Sequence, residues 1–193
     1  MQIAAVKNEY ELDNALELVF TIFPELKIGH KYSRAFWQNR LMEQSELLLY
    51  ASAENVVIGA AFAWVDNGEV TLAICCVAET HRGKGVGTHL MVEAENIVKK
   101  LGYGSITLGS REGAEEFYKN LGYTGSLLIQ SEIHSVDQLK SINTEYEVVY
   151  INVYEKTVSQ VCLRVPDMDK TLQRKYEETL PGCHTLMIFR KTL

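Results

Sequence analysis

Between residues 46 and 101 the chain passes through three apolar segments, "ELLLYASAE", "VVIGAAFAWV" and "GEVTLAICCV", then a charged glycine turn, "AETHRGKG", and then a long amphipathic stretch. Short aliphatic and β-branched runs separated by "EN" and "DNG" turn signals predict an antiparallel meander. Beyond the turn, Leu90, Met91, Ala94, Ile97, Val98 and Leu101 recur at helical spacing, so a helix is expected over 85–101, stopped by Gly102. A meander running into a helix through glycines makes a mixed α/β architecture the expectation.

The flanking segments fit that frame. "QIAAVK" reads as a first strand, and Leu12, Ala15, Leu16 and Val19 mark one face of a helix that Pro24 interrupts. A second helix is predicted over 33–44, with Ser33 as N-cap and Phe36, Trp37, Leu41 and Met42 toward the core. After the long helix come a strand over 104–110, a short helix in "EGAEEFYKNLGY" and a strand "SLLIQSE", a β-α-β pattern whose strands are normally parallel. From about Ile133 the pattern restarts as helix, two strands turning near Glu155 and Lys156, a helix in "DMDKTLQRKYEETL" and a last strand. Residues 1–131 are therefore expected to form one domain and 132–193 a small C-terminal α/β extension.

The glycine turn is tested against three phosphate-loop patterns. A P-loop needs G-x-x-x-x-G-K-[ST], but Gly83 and Lys84 are followed by Gly85 and no glycine stands five residues before Gly83. The dinucleotide pattern G-x-G-x-x-G also fails, because the register that starts at Gly85 ends on Leu90. The pattern R-x-x-G-x-G is matched by Arg82, Gly85 and Gly87. In such a loop, successive backbone N–H groups and the positive end of the following helix face a pyrophosphate, and glycine lets the backbone approach closely. Glycines at a strand-to-helix turn also serve backbone geometry alone, and that reading stays open.

Composition narrows the partners. The chain has 193 residues and a net charge of −6, which argues against nucleic acid as the main partner. No apolar run reaches the roughly 18 residues that span a bilayer, and the N-terminus lacks a secretory signal, so a soluble cytoplasmic protein without a membrane partner is expected. Cys75, Cys76, Cys162 and Cys183 follow neither a disulfide framework nor zinc-ligand spacing, and no metal is expected. Buried cysteines in strands are usually small core residues, although the adjacent Cys75 and Cys76 also raise a covalent acyl-cysteine as an alternative.

With these residues in place, the chain resembles the GNAT superfamily of acyl-CoA N-acyltransferases over about residues 1–130. "VAETHRGKGVGTHLM" is similar to the family's V-x-P-x-Y-R-x-x-G-x-G/A loop through Val77, Arg82, Gly85 and Gly87. "GSITLGSREGAEEFYKNLGY" is similar to the family's later strand and helix through Ala114, Phe117, Tyr118, Gly122 and Tyr123. The order of elements agrees as well. Glu79 and His81 replace the frequent proline and aromatic, and Arg111 stands where many members carry an asparagine that contacts the coenzyme.

The resemblance implies a central mixed, mostly antiparallel sheet flanked by helices, acetyl-CoA as donor, and Arg82, Gly83, Lys84, Gly85, Val86, Gly87 and Thr88 around its pyrophosphate. A solvated Lys84 and a merely capping Thr88 are the plainer alternatives. It further implies that the backbone N–H of Val77 polarises the thioester carbonyl and that Tyr118 protonates the leaving thiolate. Glu69, which begins the strand "EVTLAICCV" thirteen residues before Arg82, has the offset of the base in histone-type members. A buried carboxylate there would have a raised pKa suited to taking an ammonium proton, whereas the plain reading is an exposed turn glutamate; Glu79, His81 or a water chain are the other bases. Phe23, Tyr32 and Trp37 lie on helices that line the acceptor side in relatives, though aromatics at helical spacing are more often core. The expected activity is direct transfer of an acetyl group to a primary amine of a small molecule. A protein or peptide acceptor, or a non-catalytic acyl-CoA-binding module, is the alternative, and a homodimer is possible.

Overall fold

The computed structural model describes residues 1–27, 31–111, 113–154, 156–165 and 169–193. They fall into two compact units, 1–107 with 192–193, and 108–191.

The first unit begins with β1 (Gln2–Ala5) and α1 (Glu9–Ile22). The Asn8 side chain caps α1 by accepting from the Glu11 N–H, and Pro24 opens a short 3-10 turn just beyond its end. Helix α2 (Arg34–Gln44) follows; Ser33 holds the N-cap position without a side-chain cap bond. Strands β2 (Leu48–Ala53), β3 (Val56–Asp66) and β4 (Glu69–Val77) then form the expected antiparallel meander, with β1 paired to β2. The turn before β4 places Asn67 and Gly68 both at positive φ, the primed geometry that matches strand twist.

Helix α3 (Val86–Lys100) follows β4 through the glycine turn. Side chains alternate across β3, so Ala60 and Phe62 join the core beneath α1 and α2, while Gly59 faces α3. A Cβ on Gly59 would lie 2.9 Å from Leu90 Cδ1, 3.1 Å from Val86 Cγ1 and 3.1 Å from the Cys76 carbonyl oxygen. The missing side chain is what lets the first turns of α3 sit down on β3 and β4. Buried Val86, Leu90, Met91, Ala94 and Val98 form the face that packs there.

Strand β5 (Ser105–Ser110) carries the chain into the second unit, which holds α4 (Glu115–Asn120), β6 (Thr124–Ser131), α5 (Val136–Ser141), β7 (Val148–Tyr154), β8 (Val158–Leu163), α6 (Lys170–Thr179) and β9 (Cys183–Thr192). Gly122, at φ 84°, ends α4 as expected. Ser135 and Gln138 close a capping box on α5, and Asp169 caps α6 by accepting from the Leu172 N–H. Glu155 of the expected turn and positions 167 and 168 of the expected last helix lie outside the described residues.

Two arrangements differ from the sequence expectation. Strand β6 has β8 on one side and β9 on the other, both antiparallel, so the strands flanking α4 are not neighbours. The segment after residue 131 is accordingly built into the sheet of β6, and the compact units divide inside β5. Both follow from β9 pairing with a strand some sixty residues earlier, a non-local choice that local periodicity does not encode. Met42, expected in the core, is 78% exposed. Among the described residues no helix is long and apolar enough to cross a membrane.

Candidate active site

The glycine turn of the first unit is built around unused backbone donors. After β4 the chain makes one 3-10 turn (Glu79–His81), Arg82 is extended, and Gly83 and Gly85 adopt φ of 72° and 79°. Gly85 is the N-cap of α3 and offers no side-chain cap; no acidic residue stands in the first turn. The first backbone bond of the helix is His89 N–H to the Gly85 carbonyl, 3.0 Å. Among the described residues, the N–H groups of Gly83, Lys84, Gly85, Val86, Gly87 and Thr88 have no acceptor. Six free donors at the positive end of a 15-residue helix are an anion cradle.

The side chains around the turn brace it. Arg82 Nε donates to the Val77 carbonyl at 3.2 Å, tying the turn to the end of β4. Lys84 Nζ donates to the Thr80 carbonyl at 2.9 Å, which folds this exposed side chain back onto the turn. The Thr88 side chain is exposed in the first turn of α3. His81 is half-buried, with Nδ1 3.0 Å from Thr80 Oγ1, and Glu79 is exposed. His89, which the sequence reading passed over, sets Nδ1 2.7 Å from the Gly85 carbonyl; because a carbonyl only accepts, the ring proton sits on Nδ1. Its i to i+4 spacing from a cap glycine was the available signal.

Val77 closes β4. Ala78 N–H donates to the Ile58 carbonyl at 2.9 Å, which makes the adjacent pair Val77 and Gly59 a non-hydrogen-bonded one. The Val77 N–H therefore points away from β3. Cys76, beside it, is buried, and burial pushes its thiol up to about 12. A thiol held protonated in this way is a poor nucleophile, which argues against an acyl-cysteine at Cys76.

Glu69 is at the other end of the same strand. It is exposed, pairs with Asp66 beside the turn, and is separated from Val77 by eight residue steps, about 26 Å of extended chain. The structure does not bring the Glu69 carboxylate to the glycine turn. Among the three aromatic candidates, Trp37 is fully buried, stacks on Tyr32 at 5.7 Å, meets Phe62 edge to face at 5.1 Å, and donates its indole N–H to the Tyr32 carbonyl. Trp37 is thus a core residue, corrected from a substrate contact: its faces and its one donor are used internally. Phe23 and Tyr32 are half-buried against that core. Burial raises the Tyr32 hydroxyl above its ordinary pKa, with the Trp64 indole acting in the opposite direction.

In the second unit, Tyr118 lies on α4, 7% exposed, its ring 5.7 Å from that of Phe189, 5.9 Å from Tyr123 and 5.1 Å from Phe117. These rings fix its position. Thr185 and Met187 share the face of β9 that carries Phe189, and they line a cavity of about 440 Å³. Arg111, Lys170 and Arg174 give that cavity three basic side chains against the carboxylates of Glu115 and Glu177. Arg111, where many relatives of the expected kind carry an asparagine, is thus a cavity residue.

Residues 25–134, more than half of the chain, match the model of the acetyltransferase (GNAT) domain. A Bacillus subtilis (strain 168) protein that carries a provisional acetyltransferase name is 26% identical over 123 residues, covering 64% of this chain and 83% of its own. Two solved structures share the fold. N-acetylglutamate synthase from Neisseria gonorrhoeae, complexed with coenzyme A and N-acetyl-glutamate, has a TM-score of 0.58 at 13% identity, with all of this chain and 35% of that one covered. An aminoglycoside 6'-N-acetyltransferase complexed with coenzyme A has a TM-score of 0.54 at 17% identity, covering 88% of this chain and 100% of that one. The chain belongs to the GNAT acetyltransferase family. It is an acyltransferase, and the mixed α/β fold with antiparallel strands flanked by helices is the one the sequence implies.

Proposed function

We propose that the protein transfers an acetyl group from acetyl-CoA to a primary amine of a small molecule, by direct attack of the amine. The observation that carries this reading is the run of six unpartnered N–H groups from Gly83 to Thr88 at the start of α3. These donors fit a pyrophosphate, and the braces from Arg82 and Lys84 keep the turn in the conformation that presents them. The Arg82 Nη groups, left without a partner among the described residues, add positive charge beside them.

Bound acetyl-CoA supplies an activated thioester. The Val77 N–H donates a hydrogen bond where negative charge develops on the carbonyl oxygen, and as a backbone group it needs no reorganisation to do so. The Tyr118 hydroxyl holds the proton that the departing sulfur takes, and the packing of its ring on Phe189 and Tyr123 orients it. Water rather than Glu69 removes the proton of the amine in this reading, since Glu69 stands at the far end of β4. A cavity of about 440 Å³ lined by Arg111, Glu115, Arg174, Thr185 and Met187 supports a small acceptor, because it falls in the size range of small-molecule sites. Its mixed basic and acidic lining does not favour a polycation.

Thiol release from acetyl-CoA across a panel of small amines and short peptides tests the proposal. Turnover of a small amine, strongly reduced in Tyr118→Phe, is the expected result. Turnover confined to peptides would overturn the acceptor class, and coenzyme binding without turnover on any amine would overturn the transfer.

A further inference from the structure

Strand β7 closes the sheet of the second unit: it pairs with β8 on one side and is the last strand on the other. Natural edge strands are usually guarded by charge, proline or brevity. This one has none of those guards. Its seven residues, "VVYINVY", contain no charged side chain and no proline, and neither does β8, "VSQVCL", in a chain that is 23% charged. Four large side chains on β7 are nonetheless open to solvent: Tyr150 43%, Ile151 48%, Val153 53% and Tyr154 45%.

The order of these residues is itself informative. An antiparallel strand that pairs with its own copy about a two-fold axis sets each residue opposite the one equally far on the other side of the axis. Centred on Asn152, that rule sets Tyr150 against Tyr154, Ile151 against Val153, and Asn152 against Asn152 of the second copy. The five residues 150–154 form a palindrome in chemical class. They are also the part of β7 in regular register with β8, since the irregularity in that pairing falls between Val148 and Tyr150.

A side-chain ladder leads to the same centre. Gln160 Nε2 donates to Gln130 Oε1 at 3.1 Å, and Asn152 Nδ2 donates to Gln160 Oε1 at 3.3 Å, so carboxamides step across β6, β8 and β7. The ladder stops at the sheet edge with one Asn152 N–H and its Oδ1 unpartnered among the described residues. Two such carboxamides brought together at a two-fold axis donate to and accept from each other, which satisfies both.

We propose that β7 is the contact through which two copies of this chain associate, pairing antiparallel about Asn152. A two-fold contact sets each residue of the strip against its mirrored position in the copy, and a strip without charge brings no like-charge repulsion into that contact in a chain of net charge −6. A seven-residue strand is small beside the ~800 Å² per partner of a standard interface. The association is therefore reversible and depends on concentration.

Sedimentation velocity over a concentration series reads this directly. The mass is expected to rise from 21.8 kDa toward twice that value in the wild type, and to stay at 21.8 kDa in Val153→Lys and in Tyr150→Glu, which alter opposite faces of an exposed strand. Circular dichroism confirms that the variants are folded. Under mild oxidation, Asn152→Cys is expected to form a disulfide-linked dimer faster than Ile151→Cys or the wild type, because only residue 152 meets its own copy. A wild type that remains at 21.8 kDa up to ~100 µM overturns the proposal, including the case where β7 serves a different protein. A dimer that survives both charge variants also overturns it. Faster linkage of Ile151→Cys overturns the register.

Discussion

Replacing Gly85 by alanine separates the conformational demand of the glycine turn from its contacts. Gly85 sits at φ 79° as the N-cap of α3, and a Cβ there would meet nothing nearer than His89 Cε1 at 3.4 Å and Nδ1 at 3.5 Å, ordinary contact distances. No clash adds to the cost. What remains is the left-handed conformation, about 1–2 kcal/mol for a residue with a Cβ. If the turn keeps its shape in the free protein, that amount is lost from stability, on the order of 2–4 °C in Tm per kcal/mol for a chain of this size. If the turn relaxes instead, coenzyme binding must restore it, and the affinity falls by roughly 5–30-fold. Gly83→Ala, at φ 72° with open space around its Cβ, is expected to behave alike. Gly104→Ala is the control, since Gly104 has no positive φ and no neighbour within 4 Å. Thermal melts together with calorimetric titration by coenzyme A measure both routes. Unchanged Tm and unchanged affinity in Gly85→Ala and Gly83→Ala, or an equal effect in Gly104→Ala, would refute the reasoning.

Other expectations concern the reacting groups. Tyr118→Phe keeps the ring packing on Phe189 and Tyr123 and removes only the hydroxyl, so kcat is expected to fall by ~10²-fold or more while KM for acetyl-CoA stays near wild type; steady-state kinetics decide. Glu69→Gln is expected to leave the pH profile of kcat in place, because that carboxylate stands at the remote end of β4; a loss of the low-pH limb, where a general base becomes protonated, would restore it as the base. Cys76→Ala is expected to retain turnover. In the folded state burial holds the Cys76 thiol protonated up to about 12, against 9.0 unperturbed, so between those values the native state binds more protons than the unfolded one. The Cys76 contribution to stability is therefore present below about 9 and declines as pH rises toward 12, and denaturant titrations of wild type and Cys76→Ala across that range should converge.

Much of this was legible in the sequence because it is local. The meander, the Asn67 and Gly68 turn, the buried face of α3 and the stop at Gly122 each follow from residues adjacent in the chain. The shape of the glycine turn was legible for the same reason: Gly83 and Gly85 take positive φ and Gly85 caps α3, as a strand-to-helix turn of adjacent residues requires. The role of Gly59 was not, since its lack of a side chain matters only once Val86 and Leu90 are laid across it. The insertion of β9 beside β6 was invisible for a related reason: an alternating apolar strand carries no mark of the partner it will choose. Trp37 misled because helical spacing on α2 shows that a ring points inward, not whether a ligand or Phe62 waits there. For Glu69 the sequence carries an offset along the chain and not a distance, and an extended strand converts eight steps into about 26 Å.

The central claim is that the turn from Gly83 to Thr88 holds the pyrophosphate of coenzyme A. Backbone amide resonances of a nitrogen-15-labelled sample, titrated with coenzyme A and separately with pantetheine, test it most directly, because pantetheine lacks the pyrophosphate. The account predicts that coenzyme A shifts the amides of Gly83, Lys84, Gly85, Val86, Gly87 and Thr88 and that pantetheine leaves them in place. Binding of coenzyme A with those six amides unmoved, or equal shifts from pantetheine, would contradict it.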